Sequence, residues 1–284
     1  MIILHPKMLP KEKDKNYWSY SDCFSGDLFN LIHCYMHNNY NQKMHSHQFY
    51  ELNVVLSGSG WHYIGDAVLP TCAGDIFVIP PEVSHGYYSE EALDIYHLLI
   101  KTEFIQRYQE ELSHIPGFDI LFNIEPYIRR FSGKGCNLNV NSKALMRLKE
   151  DLERIRSAEK ERLFVYENTL SLALICKISA LLMDSIKSNS ASSEKDFELV
   201  QIMEYINANL DSKLTLDILC NVSNMSKATL NRHFRKALNS SPMQYVCETR
   251  LTKARELLSQ GVLSKTEIAA LCGFYDVAHM NKYL

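Results

Sequence analysis

The sequence predicts an α+β protein: an N-terminal β-barrel, a helical pair, and then an all-α domain. Three observations carry that reading. Nine of the eleven glycines (Gly26, Gly58, Gly60, Gly65, Gly74, Gly86, Gly117, Gly133, Gly135) and both tryptophans precede residue 136, and glycines and aromatics around short apolar runs mark strands joined by turns. Beyond Asn137 glycine is absent until Gly261, and apolar residues recur at the three- and four-residue steps of a helix. Between the two helical regions lies KSNSASSEKD, residues 187–196, polar and serine-rich as linkers are. The expected organisation is a β-domain over 1–136, a helical connector over 137–186, a linker over 187–196 and a helical domain over 197–284.

Composition sets the outer limits. A chain of 284 residues suggests about two domains at roughly 150 residues each. At 46% hydrophobic and 22% charged it is neither disordered nor collagen-like. No apolar run approaches the ~20 residues of a membrane span, and the N-terminus lacks a signal-peptide layout, so a cytoplasmic protein with no membrane partner is expected. Eight cysteines (Cys23, Cys34, Cys72, Cys136, Cys176, Cys220, Cys247, Cys272) contain no CxxC pair and read as buried thiols of a reducing compartment. The net charge of −3 hides an asymmetry. From residue 227 to 255 seven basic residues (Lys227, Arg232, Arg235, Lys236, Arg250, Lys253, Arg255) face one acid, Glu248, seven minus one or +6. Such a segment is either a solvated helix face or the footprint of a polyanion.

Strands are expected at 52–56, 61–64, 75–79 and 95–100, punctuated by Gly58 and Gly60, Gly74, and Pro80 with Pro81. A helix over 142–158 carries Leu145, Leu148, Leu152 and Ile155. The next, over 163–186, is apolar on more than one face and so must bury more than one. Its stripe of Leu163, Leu170, Leu174, Ile178 and Leu181 predicts a homodimer, with a charge at Leu174 expected to give a folded monomer.

His45, His47 and Glu51 form an HxHxxxE pattern entering a strand, where even spacing puts side chains on one face. A second element, from Gly74 through Pro80 to His85, adds a third imidazole. Three imidazoles and a carboxylate suit a divalent first-row transition metal, zinc, iron, nickel or manganese. The same groups could equally hydrogen-bond a sugar or organic acid, or simply line a pocket. With His45, His47, Gly58 and Glu51 as a first motif and Gly74, Pro80 and His85 as a second, the region resembles the cupins, small jelly-roll barrels holding a ligand or metal. The resemblance implies His45, His47, Glu51 and His85 as metal ligands. Glu82 and Ser89 depart from it, standing where glycine and asparagine are usual.

In the C-terminal domain a short apolar helix over 214–222 is followed by a turn, 223–225, and a second helix over 226–238. Ser226 is suited to cap that helix, and Leu230 and Phe234 face inward. Lys227, Ala228, Asn231, Arg232 and Arg235 lie on other faces, as in a helix-turn-helix, with Arg232 able to read guanine and Asn231 adenine. A long helix over 242–259, with Pro242 in its first turn, leads to a second copy. There 264–271 repeats the short helix, 272–274 is the turn, and Asp276 caps a helix expected to run to Leu284.

The tandem units, with PMQYVCETRLTKARELL between them and EIAALCGFYD opening the second, resemble the AraC/XylS family of bacterial transcription regulators. About ninety residues carry that likeness, and a cupin-like sensor usually precedes them in the family. The resemblance implies double-stranded promoter or operator DNA as partner, read by Ala228, Asn231 and Arg232 in the first unit. Val277, Ala278, Asn281 and Lys282 would read it more weakly in the second. It implies activation or repression in response to a small effector; His45, His47, Tyr50, Glu51, Trp61, Tyr63 and His85 give a pocket with aromatic faces and hydrogen-bonding groups, which suits a sugar. The family pattern continues past this sequence's last residue, so the expectation is that either the sequence is truncated or the second unit is incomplete. The competing function is a metal-dependent cupin enzyme, a dioxygenase or isomerase, for which tandem DNA-reading motifs have no use.

Overall fold

The computed structural model describes residues 16–38, 41–90, 92–132, 138–189 and 194–284, which divide into two compact units between Asp184 and Ser185. Unit one runs β1 (Asn16–Trp18), α1 (Tyr20–Cys23), β2 (Ile32–His37), β3 (Gln42–His47), β4 (Tyr50–Ile64), β5 (Ala67–Cys72), β6 (Asp75–Ile79), β7 (His85–Tyr88) and β8 (Leu93–Ile100). Helices α2 (Thr102–Arg107) and α3 (Gln109–Ser113), a π-helical turn (Ile120–Ile124) and α4 (Glu125–Ser132) come next. They lead to β9 (Leu138–Asn139), α5 (Ser142–Lys160) and α6 (Phe164–Asn189).

The architecture turns on β4. Its first half pairs antiparallel with β6 and β8, its second with β5 and β7. The register shifts between Val55 and Ser57, the mark of a bulge, which bends the strand and re-aims its second half. Gly58, at φ +81, permits the bend, because a Cβ there would lie 1.8 Å from the Ala92 carbonyl oxygen. The glycines expected to end a strand thus sit inside one continuous strand. The sheet curls into a half-barrel. Directly paired residues share a face, so His62 with Tyr87, Ile64 with His85, and Asn53 with His97 mark the inside. There Val55, Ile64, Leu69, Phe77, Ile79, Tyr87, Leu93 and Ile95 form one apolar cluster. The other face of β4 and β8 buries Leu52, Val54 and Leu98 on the side of the helical layer. Tyr50 meets Phe122 of the π-helical turn at 5.6 Å.

The helices between residues 102 and 132 lie within the region expected to be all β. Helix α5 is capped by the Asn141 side chain, which accepts from the Ala144 N–H, and buries Leu148, Leu152 and Ile155. In α6 the single stripe expected for a partner is divided: Leu174 and Ile178 are buried within unit one, whereas Leu163 is 47% exposed. The Phe164–Ile186 stretch, with mean hydropathy 1.7, is long and apolar enough to cross a bilayer by length and composition. That corrects the expectation of no such run. Helix also extends to Asn189 and resumes at Glu194, leaving little of 187–196 as linker; residues 190–193 lie outside the described residues. Of the thiols, Cys34 and Cys272 are buried but Cys72 is exposed, and Cys136 lies outside the described residues.

Unit two contains α7 (Glu194–Ala208), α8 (Leu216–Ser223), α9 (Lys227–Leu238), α10 (Pro242–Gln260), α11 (Lys265–Leu271) and α12 (Val277–Asn281). Side chains of Thr215, Ser226, Ser241, Ser264 and Asp276 each accept an N–H of the helix they start, satisfying first-turn donors that would otherwise go unpaired. Asn224 turns α8 into α9 in the left-handed region, φ 51. Gly273, φ +70, closes the α11–α12 turn against the Leu210 carbonyl, 2.1 Å from where a Cβ would stand. Arg250 is structural: its Nε donates to the Leu210 carbonyl at 3.0 Å and its guanidinium to the Ser212 carbonyl at 2.7 Å. One charge is thereby withdrawn from the basic strip. Helix α12 ends at Asn281, short of the expected Leu284.

Candidate ligand site and nucleic-acid interface

Four strands bring a polar cluster into the half-barrel. His45 and His47 come from β3, His85 from β7 directly opposite His45, Glu51 from β4 and His97 from β8. All five are at most 5% exposed. Three imidazoles are pinned in the same way: Nδ1 of His45 donates to the Lys43 carbonyl at 3.0 Å, that of His47 to Phe49 at 2.7 Å, and that of His85 to Val83 at 3.0 Å. A carbonyl only accepts, so each neutral ring carries its proton on Nδ1 and a lone pair on Nε2. The Nε2 atoms of His47 and His85 lie 3.3 and 3.8 Å from Glu51 Oε2 and have no hydrogen-bond partner among the described residues. One ligand atom each from His45, Glu51 and His85 falls within 4.8 Å of the others.

Electrostatics fit the geometry. Burial pushes the His45 imidazole below its ordinary pKa and His85 well below, which keeps both rings neutral. Burial alone would raise Glu51, but contacts with His47 and His97 and the nearby imidazoles hold it well below the usual carboxylate range. The Nε2 atoms of the neutral His45 and His85 rings and the ionised Glu51 carboxylate thus face one buried space. A cation satisfies that arrangement, and backbone-anchored imidazoles are the usual support of metal ligands.

The other residues assigned to the effector stand elsewhere. Tyr50 faces the helical layer. Trp61 and Tyr63 flank the inward His62 on alternate positions and point away from the cluster. Trp61 lines an outer groove of about 590 Å³ with Ser59, Cys72, Asp75, Glu90 and Asn139. Two inward residues escape the sequence reading. His97 donates Nδ1–H to Glu51 Oε1 at 3.0 Å and stacks on Tyr35 at 4.9 Å. His62 is sandwiched between Phe77 and Tyr87 at 4.7 and 4.8 Å; burial, then the Arg129 guanidinium, keeps it neutral. Their alternation with Ile95 and Leu99, and with Ile64, is the available signal.

In unit two, α8 and α9 form the first helix pair and α11 and α12 the second. On α9, Lys227, Ala228, Arg232 and Arg235 are exposed and Asn231 half-buried, while Leu230, Phe234 and Leu238 face the core. Lys227 Nζ pairs with Asp217 on α8 at 2.7 Å, and the Asn231 side chain donates to the Lys227 carbonyl at 2.8 Å. On α12, Ala278 and Asn281 are exposed; Lys282, also exposed, lies just past the helix. Val277 is half-buried, packed against the cluster of Leu251, Ala254, Ile268, Phe274 and Met280. Tyr275, just before the α12 cap, is 93% exposed, a position that the sequence motifs do not single out.

A half-barrel with a buried polar cluster and a unit of two capped helix pairs together define a DNA-binding regulator with a ligand-binding domain. Residues 26–173 match the AraC-like ligand binding domain and 219–284 a helix-turn-helix domain, and the chain belongs to the AraC family of transcriptional regulators, transcription factors and not enzymes. It is similar to the HTH-type transcriptional activator RhaR of Shigella dysenteriae, 23% identical over 262 residues, 90% of this chain and 83% of that protein. It is also similar to the HTH-type transcriptional regulator GbdR of Pseudomonas aeruginosa, 30% identical over 190 residues, 67% of this chain and 49% of that protein. Among solved structures, ToxT from Vibrio cholerae is 11% identical, with 89% of this chain and 94% of that one covered at a TM-score of 0.38.

Proposed function

We propose that this regulator binds promoter DNA through the exposed residues of α9 and, more weakly, α12, under control of a small effector taken up by unit one through His45, His47, Glu51 and His85. A divalent transition metal held by these four residues would orient the effector and supply Lewis acidity to its oxygen or nitrogen donors. The observation that carries this is the convergence of the His47 and His85 rings, each anchored through Nδ1 to a backbone carbonyl, on Glu51 Oε2. The sugar reading rests on Tyr50, Trp61 and Tyr63 as stacking faces. It loses that support here, and a compact ligand with donor atoms for the metal fits better. The RhaR relative is a transcriptional activator, and activation is proposed for this chain too, at a cytoplasmic location. A homodimer through α6 is supported by the exposed Leu163, Val165 and Tyr166, not by Leu174. The test is a gel shift with DNA upstream of the neighbouring genes, beside metal analysis of protein purified without a His-tag or chelator. A sequence-selective shift and close to one metal per chain are expected. Unselective binding sinks the DNA assignment, and metal-free protein with a full effector response sinks the metal.

A further inference from the structure

Glu51 presents its two oxygens to different neighbours. Oε2 faces the Nε2 atoms of His47 and His85 at 3.3 and 3.8 Å, whereas Oε1 accepts from His97 Nδ1 at 3.0 Å. A carboxylate with both oxygens available can rotate and bind a cation through either or both. Here one is already held. The ring that holds it has little freedom: His97 stacks on Tyr35 at 4.9 Å with planes 16° apart and meets His37 edge-on at 5.3 Å. Its strand, β8, is hydrogen-bonded on both sides, to β2 and to β4.

We infer that His97 is a positioning residue that clamps Glu51 Oε1, so that Oε2 alone is presented to a cation shared with the imidazoles of His45, His47 and His85. The inference rests on the metal reading above and adds the residue that shapes the site without touching the ion. Partners that orient a ligand in this way are typically worth 10–100-fold in metal affinity.

The test uses the full chain with Zn²⁺ and Co²⁺ as probes. Affinity is measured by competition with a chromophoric chelator, and geometry by the Co²⁺ visible spectrum. His97→Phe keeps a ring against Tyr35 and removes the donor. It should retain one Zn²⁺ per chain, bind it 10–100-fold more weakly and change the Co²⁺ bands. His97→Gln, whose amide can reach the same oxygen, should recover part of the loss, and His45→Ala should bind far more weakly than either. Equal affinity and spectra for wild type and His97→Phe overturn the clamp while leaving the metal site standing; a wild-type chain that takes up neither ion overturns the metal reading itself. Folding is checked by circular dichroism. Should His97→Phe not fold, nitrogen-15 spectra of histidine-labelled wild type decide. On Zn²⁺ addition His45, His47 and His85 should shift as Nε2-bound rings, and His97 should keep its Nδ1 proton. A metal-type shift at His97 would make it a ligand and end the proposal.

Discussion

Glu167, in the first turn of α6, is fully buried, and neither carboxyl oxygen has a hydrogen-bond partner among the described residues. Burial, reinforced by the negative charge of Glu159, pushes its pKa from 4.5 up to about 8. In the unfolded chain it ionises near 4.5, so between there and about 8 the folded state keeps a proton that the unfolded state has released. Stability from this group is therefore greatest below pH 4.5, falls through that window and is level above it. Glu167→Gln should raise stability at pH 7 by on the order of 1–3 kcal/mol and change little at pH 4.5. Urea unfolding at both values checks this, and parallel pH profiles for the two proteins would refute it. On α9, the exposed Arg232 should cost roughly 1–3 kcal/mol of specific affinity as Arg232→Ala if it reads a guanine edge. Binding to a panel of single-base variants should lose preference at one position; an equal loss for every sequence would make it a phosphate contact. Part of the ligand site is legible in the same way, residue by residue. His45, His47 and Glu51 share a face through local alternation, which needs no knowledge of the fold. Glu51 and Trp61 are also an even number of residues apart, so strict alternation puts them together. The bulge between Val55 and Ser57 reverses the count, and His62 takes the inward place. His97 meets Glu51 only through the pairing of β8 with β4, a contact 46 residues apart that no local pattern encodes.

Elements are legible where their signals are local and long. Helices α9 and α10 start just after Ser226 and at Pro242, as expected, because these residues act on their own first turns. The short helices α2 and α3, of 6 and 5 residues, are too brief to establish a period, and they merge with the β region in sequence. Helix α6 is plain from its pattern, but which of its apolar faces the fold uses is not. Two apolar faces look alike in sequence until the rest of unit one covers part of the helix, as where Gly117 packs closely on Ser179 and Met183. Leu174, Ile175, Ile178 and Leu182 are buried within unit one. The uncovered surface lies at the start of the helix, where Leu163, Val165 and Tyr166 are 47, 64 and 54% exposed beside Arg162 and Thr169 in a shallow depression. An exposed cluster of this kind marks an interaction surface. Tyr166→Glu should convert a dimer to a monomer without loss of helicity, read by analytical ultracentrifugation and circular dichroism. Leu174→Glu should instead unfold unit one, because it buries an unpaired charge. A dimer that survives Tyr166→Glu would move the interface off this face.

At the scale of the whole molecule, binding a polyanion with a chain of formal charge −3 requires that positive charge be gathered locally. The stretch from residue 227 to 255 does this, but the structure discounts its +6. Arg250 is committed to the Leu210 and Ser212 carbonyls, and Lys227 is paired with Asp217. Arg232, Arg235, Lys236 and Arg255 remain exposed, with Lys253 half-buried. If about four cations neutralise phosphates, the logarithm of the binding constant should fall against the logarithm of salt concentration with a slope of about −4, each contact contributing roughly 0.9. Arg235→Ala should lower affinity for all sequences alike and make the slope shallower by about 1, whereas Asp217→Asn, which frees Lys227, should make it steeper by a similar amount. These two substitutions act in opposite directions on one plot and leave the helix pair's apolar contacts in place, so a fold defect cannot imitate both. Fluorescence anisotropy with one labelled duplex between roughly 50 and 200 mM salt gives the slopes. If Asp217→Asn leaves the slope unchanged, Lys227 stays off the phosphates even when released, and the DNA surface of α9 narrows to Arg232 and Arg235.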